Sequence, residues 1–483
     1  MMSKNPRETR HVVSINDLSN REIENIFNVA EAFLKEQPDP RSRYRIRGNT
    51  NIASNFILAS LFYEPSTRTR LSFESAMLRL GGGIITSADS KTTSSAAKGE
   101  SIADSIRVIA NYADLIVIRH PRDGAARLAA EYSQIPVING GDGSHEHPTQ
   151  TLCDIFTLKR KNRSLKNLRV AIAGDLKGSR TVHSFVYALA RFGAHIEPMP
   201  APGMELPTHV AQRLQEEFGC RFGAGDGPFG AFYRTPEESH QPALFPGPDF
   251  EFRFESHKPR IGNGASESHK IGAVYVTRHQ KERGSQKEQT YLKIDATFLN
   301  EPKYSHAKVL HPLPRVGELD AAFDSDSRAV YFEQAAYGVP IRMALISLLL
   351  DLRKGNSLHK FEGGFEKTEV PLYDMPAGSG INCANANCIV HDENEKQYVR
   401  NKFLVVKGPY PKKSRLRCVY CETDIEHFVV AHRKNKWYVT DGTPLASATN
   451  LDIKDFIVFS SDAEAGHHGF HLRKHAAVSK TVA

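Results

Sequence analysis

Ser66, Thr67, Arg68 and Thr69 stand in succession within Phe62-Tyr63-Glu64-Pro65-Ser66-Thr67-Arg68-Thr69-Arg70-Leu71-Ser72-Phe73-Glu74, bringing hydroxyls and guanidiniums together inside one helical turn. That combination suits a phosphate. Ser66 is the expected helix cap, the N–H groups of Thr67, Arg68 and Thr69 point at an anion, and the helix dipole adds partial positive charge there. Arginine contributes planar donors that meet phosphate oxygens in pairs. The bland alternative is an ordinary capped helix, but basic residues in a first turn oppose the dipole and need an anion to justify them.

Further constellations carry polar groups. Ser94 and Lys98 belong to the small-residue loop Ser94-Ser95-Ala96-Ala97-Lys98-Gly99-Glu100-Ser101, flexible enough to reach a neighbouring site, although taken alone it reads better as a solvated loop. Arg119 follows the apolar run Leu115 to Ile118, where a structural salt bridge is as good a reading as a ligand contact. His147-Pro148-Thr149-Gln150 opens a helix with proline in its preferred first position, so the imidazole lies at the positive end of the dipole and favours its neutral, donor-capable form. Gly174 to His183 reads as strand, turn and helix start with Arg180 in the first turn. Thr277-Arg278-His279-Gln280 follows another strand, with Lys281, Glu282 and Arg283 beyond it. In His311-Pro312-Leu313-Pro314-Arg315 the prolines fix the backbone, favour a cis bond at Leu313-Pro314 and leave the Leu313 carbonyl without a ladder partner; a plain turn is the alternative.

Alternating strand and helix patterns position these groups. Strands are expected at 55–62, 114–118, 135–138, 169–173, 195–197, 273–277 and 308–310, with helices at 68–80, 99–112, 148–160, 179–192 and 341–352. Such alternation argues for an α/β chain with parallel sheets covered on both faces, whose ligands sit beyond the carboxyl ends of the strands. The polar motifs fall there. The pattern collapses at 221–270, an expected long loop, and 354–380 reads as a linker.

At 483 residues and 40% hydrophobic composition the chain has room for several domains with real cores. It contains no apolar run of membrane-spanning length and no leader-like amino end, so a cytoplasmic protein without membrane contact is expected. The formal charge of +8 permits nucleic-acid binding, yet the basic residues scatter and an anionic small substrate explains the arginines equally well. Four of the six cysteines form two knuckles, Cys383 with Cys388 and Cys418 with Cys421, a spacing that closes a tetrahedral zinc site. The disulfide alternative is weak in a reducing compartment. With Lys412, Lys413, Arg415 and Arg417 beside it, such a ribbon equally suits nucleic acid.

In this order and nearly complete, the motifs resemble those of aspartate carbamoyltransferases over roughly Arg10 to Arg353, and about Gly380 to Asp441 is similar to the zinc domain of that enzyme's regulatory chain. The resemblance implies two doubly wound parallel-sheet domains followed by a small zinc-ribbon-like β domain. Residues 10–146, completed by the helix 335–353, would bind carbamoyl phosphate; 147–334 would bind L-aspartate; 381–441 would hold structural Zn2+; and 442–483 is expected to be a disordered tail. No organic cofactor is implied. The carbamoyl group would pass to the aspartate amine, giving N-carbamoyl-L-aspartate and phosphate, early in de novo pyrimidine biosynthesis.

Residue by residue, the resemblance assigns phosphate binding to Ser66, Thr67, Arg68, Thr69 and Arg119. Arg68, Thr69, Arg119 and His147 would surround the carbamoyl oxygen, while Gln150 and the Pro312 and Leu313 carbonyls would accept from the carbamoyl amine. Ser94 and Lys98 would come from the adjacent chain of a trimer. Arg180, Arg278, Gln280, Leu313 and Lys98 would hold aspartate, with Glu64 bridging Arg180 and Arg283 on domain closure. A dianionic acceptor explains two cationic sockets, whereas ornithine would need an acidic partner and its enzyme typically carries cysteine where this chain has Pro312. Two departures from the pattern stand out: the stretch 221–270 is longer than the family needs, and the linker has no room for the family's nucleotide-binding allosteric domain. The expected role of the zinc domain is therefore a clamp that joins catalytic trimers. A carbamoyltransferase for another amine, or a zinc-ribbon nucleic-acid binder carrying an inactive transferase domain, are the alternatives.

Overall fold

The computed structural model describes residues 9–88, 99–223, 231–233, 270–280, 293–353, 358, 372–374, 381–406, 415–440 and 455–473. These fall into two compact units, 1–366 and 367–483.

The first unit holds two sheets. In the first, Gly83–Ala88, Ile57–Phe62, Leu115–His120 and Val137–Asp142 lie side by side, all parallel. The Ile57–Phe62 and Leu115–His120 strands read as near-continuous apolar runs because helices cover the sheet. The Leu115–His120 strand runs past the expected end at 118, since Arg119 pairs with Phe62 and its carbonyl accepts from the Tyr63 N–H at 2.9 Å. Register thus brings Arg119 beside the strand end that delivers Glu64 and Ser66.

In the second sheet Lys308–Leu310, Ala273–Val276, Arg169–Gly174 and His195–Pro200 are parallel. An antiparallel hairpin of Arg221–Gly223 and Ala231–Tyr233 extends that sheet from His195–Pro200. This corrects the reading of 221–270 as wholly irregular, because backbone pairing with an existing edge orders a segment whose composition alone promises little; 234–269 lies outside the described residues.

The helix Gly338–Leu349 is buried along almost its whole length and packs against Asn20–Glu36 and Thr67–Leu80, carrying the end of this unit back onto its beginning. The helix Thr67–Leu80 stops at Gly81, whose φ of 86° is left-handed and where a side chain would sit 2.6 Å from the Thr50 carbonyl oxygen.

In the second unit Leu372–Asp374, Lys402–Val406, Arg415–Cys418 and Asp424–Ile425 form an antiparallel sheet. Residues 372–374, expected in the linker, are therefore a strand. A second sheet contains Phe456–Phe459, Val429–His432, Trp437–Val439 and His471–Leu472. This overturns the disordered tail for 455–473: Val458, Phe459, Ala465 and Phe470 are buried, and Val429–His432 lies between two partner strands. Residues 441–454 and 474–483 of the tail lie outside the described residues.

Candidate active site

The carboxyl ends of both sheets open on one cavity of about 640 Å³. Arg68, Arg119, Arg180, Arg278 and Arg342 line it, and among the described residues no carboxylate does. Ser66, Thr67, Thr69, His147, Gln150, Gln280, Pro312 and Leu313 line it too, so sequence candidates from Ser66 to Leu313 converge. Ser94, Lys98 and Arg283 lie outside the described residues.

The expected anion cradle at the start of Thr67–Leu80 differs from expectation in one detail. Ser66 occupies the cap position in extended conformation, but its hydroxyl makes no capping hydrogen bond. Thr69 is buried with Oγ1 3.4 Å from His147 Nε2, and its carbonyl accepts from Ser72 Oγ at 2.8 Å. His147 sits at the cap of the helix Pro148–Lys161, its N–H donating to Ser184 Oγ at 2.9 Å. Burial, and then the neighbouring Arg278 charge, pull Arg68 below the usual guanidinium range. An arginine so placed gains most from a bound anion.

Glu64 meets the expected Arg180 and adds a partner the sequence did not suggest. Its Oε1 accepts from Arg119 Nη2 at 2.7 Å and from Arg180 Nη2 at 2.8 Å, joining the two sheets through one carboxylate. Arg180 is nearly fully buried and also donates to the Gly143 carbonyl at 3.0 Å. Gly141 makes room for it: φ is +111° there, and a side-chain carbon would sit 2.9 Å from the Arg180 guanidinium.

Asp175, given no role in the sequence reading, ties the second sheet's side of the cavity together. Its Oδ1 accepts from the Gly178 N–H at 2.7 Å and its Oδ2 from the Gln280 N–H at 3.0 Å, fixing the turn before Arg180 to the segment that carries Arg278. Ser179 and Thr277 hydroxyls meet at 3.1 Å across the same junction. A short acidic residue inside a glycine-rich turn was the available signal.

The Leu313-Pro314 bond is cis, and Leu313 adopts φ 56°. Its N–H donates to His311 Nδ1 at 2.8 Å, so that nitrogen carries no proton, and Nε2 meets Glu318 Oε1 at 2.7 Å. Burial lowers the His311 pKa, which agrees with a neutral ring whose Nε2–H donates. Burial opposes ionisation of Glu318, but hydrogen bonds from His311 and Val316 outweigh it and its pKa falls.

The knuckles also converge. Cys383 and Cys421 Sγ are 3.4 Å apart, Cys388 and Cys418 3.8 Å, and all four, buried, lie within 4.8 Å of one another. These gaps far exceed a disulfide of about 2.05 Å but match the edge of about 3.8 Å for thiolates tetrahedral about a metal at about 2.3 Å. His391 Nε2 lies 2.8 Å from the Cys383 carbonyl, and Thr423 Oγ1 3.3 Å from Cys421 Sγ, orienting ligands from outside. Arg415 and Arg417, counted for nucleic acid in the sequence, are buried and paired with Asp424 at 3.3 and 2.7 Å, so they present no basic face.

Residues 10–160 match the carbamoyl-P binding domain of aspartate/ornithine carbamoyltransferases, 260–349 the Asp/Orn binding domain, and 378–431 the metal binding domain of the aspartate carbamoyltransferase regulatory chain. The aspartate carbamoyltransferase catalytic subunit of Picrophilus torridus is 41% identical over 344 residues, covering 70% of this chain and 97% of that protein. The chain belongs to the aspartate carbamoyltransferase family. Another family member, the catalytic subunit of Methanosarcina barkeri, is 42% identical over 346 residues, 71% of this chain and 97% of that one. The solved catalytic subunit of the M. jannaschii aspartate transcarbamoylase superposes with a TM-score of 0.54 at 37% identity, covering 72% of this chain and all (100%) of that chain. The Trypanosoma cruzi aspartate transcarbamoylase in complex with carbamoyl phosphate and aspartate gives 0.53 at 31% identity, covering 70% and 96%.

Proposed function

We propose that this chain transfers the carbamoyl group of carbamoyl phosphate to the amine of L-aspartate, giving N-carbamoyl-L-aspartate and phosphate, an early reaction of pyrimidine synthesis. The observation that carries this is the shared cavity of Arg68 and Arg278, cationic and free of lining carboxylates among the described residues. Such a cavity favours two anions held together and disfavours an acceptor with a side-chain ammonium.

In this reading Ser66, Thr67, Arg68, Thr69 and Arg119 bind the phosphate. Arg68, Thr69, Arg119 and His147 face the carbamoyl oxygen as negative charge grows on it. Gln150 and the Pro312 and Leu313 carbonyls accept from the carbamoyl amine, and Arg180, Arg278 and Gln280 bind the aspartate carboxylates. The neutral amine attacks the carbamoyl carbon, the tetrahedral oxyanion collapses, and the C–O bond to phosphate breaks, the departing phosphate taking the amine proton. Holding both reactants together and aiming fixed donors at the oxyanion supplies most of the acceleration, and no side chain acts as a strong base.

Ser94 and Lys98 of an adjacent copy complete the site in a cytoplasmic trimer, and the cysteine cluster holds Zn2+ as a structural ion. Cys383, Cys388, Cys418 and Cys421 supply the charge that a soft divalent metal neutralises, stabilising a small β module. The zinc-bearing module joins catalytic trimers. The test offers carbamoyl phosphate with aspartate, ornithine and other amines in turn. N-carbamoyl-L-aspartate from aspartate alone is expected, and preference for another acceptor overturns the assignment.

A further inference from the structure

Behind the cavity wall lies a buried carboxylate that none of the assigned roles uses. Asp154 is fully buried one helical turn after Gln150, the i,i+4 spacing that puts both on one face of the helix Pro148–Lys161. Its Oδ1 accepts from Gln150 Nε2 at 2.8 Å and from Gln334 Nε2 at 2.6 Å, while its Oδ2 accepts from the Tyr275 hydroxyl at 3.0 Å. Gln334, itself buried, uses its other end to accept the His311 N–H at 2.9 Å. One oxygen therefore fixes two side-chain amides. Both amides line the cavity, and the second also holds the backbone that leads into Pro312 and Leu313.

A side-chain amide presents an oxygen on one side and a nitrogen on the other, and the two differ little in shape. Facing an amine, only the oxygen attracts. Free in solution, Gln150 would show either end. Because Oδ1 can only accept, it draws the Gln150 nitrogen inward and leaves the Gln150 oxygen for the cavity. We propose that Asp154 is a positioning residue that sets the polarity of the amine-recognising wall, turning the Gln150 oxygen and, through Gln334 and His311, the Pro312 and Leu313 carbonyls toward the amine of carbamoyl phosphate. This rests on the reading of the reaction given above.

The arrangement withstands protonation of the carboxyl. Burial pushes the Asp154 pKa up to about 7, against hydrogen bonds from Gln150, Gln334 and Tyr275 and the nearby Arg342 charge. Oδ1 carries two N–H donors, so a proton goes to Oδ2, on the tyrosine side, and Oδ1 stays an acceptor. Asparagine can reproduce that state, its amide nitrogen donating to the Tyr275 oxygen. Alanine cannot.

Acetyl phosphate carries a methyl group where carbamoyl phosphate carries its amine, so binding of the two by the full-length assembly isolates amine recognition from phosphate recognition. Gln150→Leu sets the ratio of affinities expected once the acceptor is gone. In Asp154→Ala, checked for folding by thermal melting, carbamoyl phosphate is expected to weaken by about tenfold or more and acetyl phosphate by less than about twofold, bringing the ratio to the Gln150→Leu level. Asp154→Asn is expected to keep the wild-type ratio. Should the alanine variant fail to fold, Asp154→Ser, which leaves a hydroxyl and space for water, takes its place with the same expectation. Equal weakening of both ligands, an unchanged ratio in a folded Ala or Ser variant, or a collapsed ratio in Asp154→Asn overturns the proposal. Wild-type protein that transfers nothing from carbamoyl phosphate to aspartate overturns the reaction itself, separately from any variant.

Discussion

Glu64 accepts a hydrogen bond from Arg180 at 2.8 Å, a contact from the end of a strand in the first sheet to the opening turn of a helix behind the second. The same oxygen holds Arg119 at 2.7 Å, so one carboxylate sets two guanidiniums that would serve two different substrates. Its removal takes one charged partner from each cation. In Glu64→Gln, the KM for aspartate is expected to rise by about tenfold, corresponding to about 1.4 kcal/mol of lost binding. Steady-state kinetics with aspartate as the varied substrate checks this, and an unchanged KM would show that Arg180 needs no such partner.

Arg68 is a cation whose charge the cavity opposes, since burial and then Arg278 both work against it until an anion arrives. Arg68→Ala is expected to lower kcat/KM by about a thousandfold, the cost typical of removing a donor to a developing oxyanion. The melting temperature should hardly move, because among the described residues Arg68 has no ion-pair partner to lose. Near-normal turnover would remove the phosphate-cradle argument.

Metal removal should act on the second unit alone. Four buried thiols within 4.8 Å make a module whose apparent zinc binding is on the order of 10 kcal/mol in comparable small folds. A chelator, or Cys388→Ser, is expected to release about one equivalent of zinc per chain. Native mass spectrometry should then show catalytic trimers that still transfer carbamoyl groups. Larger assemblies that survive full loss of the metal would contradict a clamp.

Acid should destabilise the chain through His11. Burial, then the Arg127 charge, lower its pKa from 6.5 to about 4, while Nδ1 accepts the Val137 N–H at 3.2 Å. A pKa lower in the folded state than in the unfolded one means the unfolded chain takes up the proton first. The stabilisation is whole above pH 6.5 and lost as pH falls toward 4, amounting to about 3 kcal/mol. Melting temperatures across that window should fall less steeply for His11→Asn, whose amide oxygen can accept from Val137 without titrating. Parallel slopes for the two proteins would place the acid sensitivity elsewhere.

What local sequence encodes was legible. The strand, cap and basic first turn of Ile57 to Leu80, closed by a glycine that alone takes φ 86° comfortably, depend on neighbours a few positions away. So do the cysteine knuckles and the proline-bracketed Leu313, and these motifs announced the chemistry. Partner choice was not legible, because it is made between positions far apart in the chain. Glu64 took Arg119 as a second partner beside the expected Arg180, because the register opposite Phe62 brings Arg119 to it. The strands Arg221–Gly223, Leu372–Asp374 and Phe456–Phe459 lie in segments assigned to loop, linker and tail, because a short strand is specified by the edge that receives it more than by its own composition. Asp424 cancelled two arginines that a charge count left free.

The sequence by itself determined which residues are equipped to meet an anion and which four cysteines can gather in a cluster suited to a metal, since residue type and near-neighbour spacing set donor geometry. Tertiary structure decided how those donors are aimed, in Glu64 between two guanidiniums and Asp154 behind Gln150. A hydrogen bond's direction and a buried charge's cost depend on everything packed around them, which no stretch of local sequence contains.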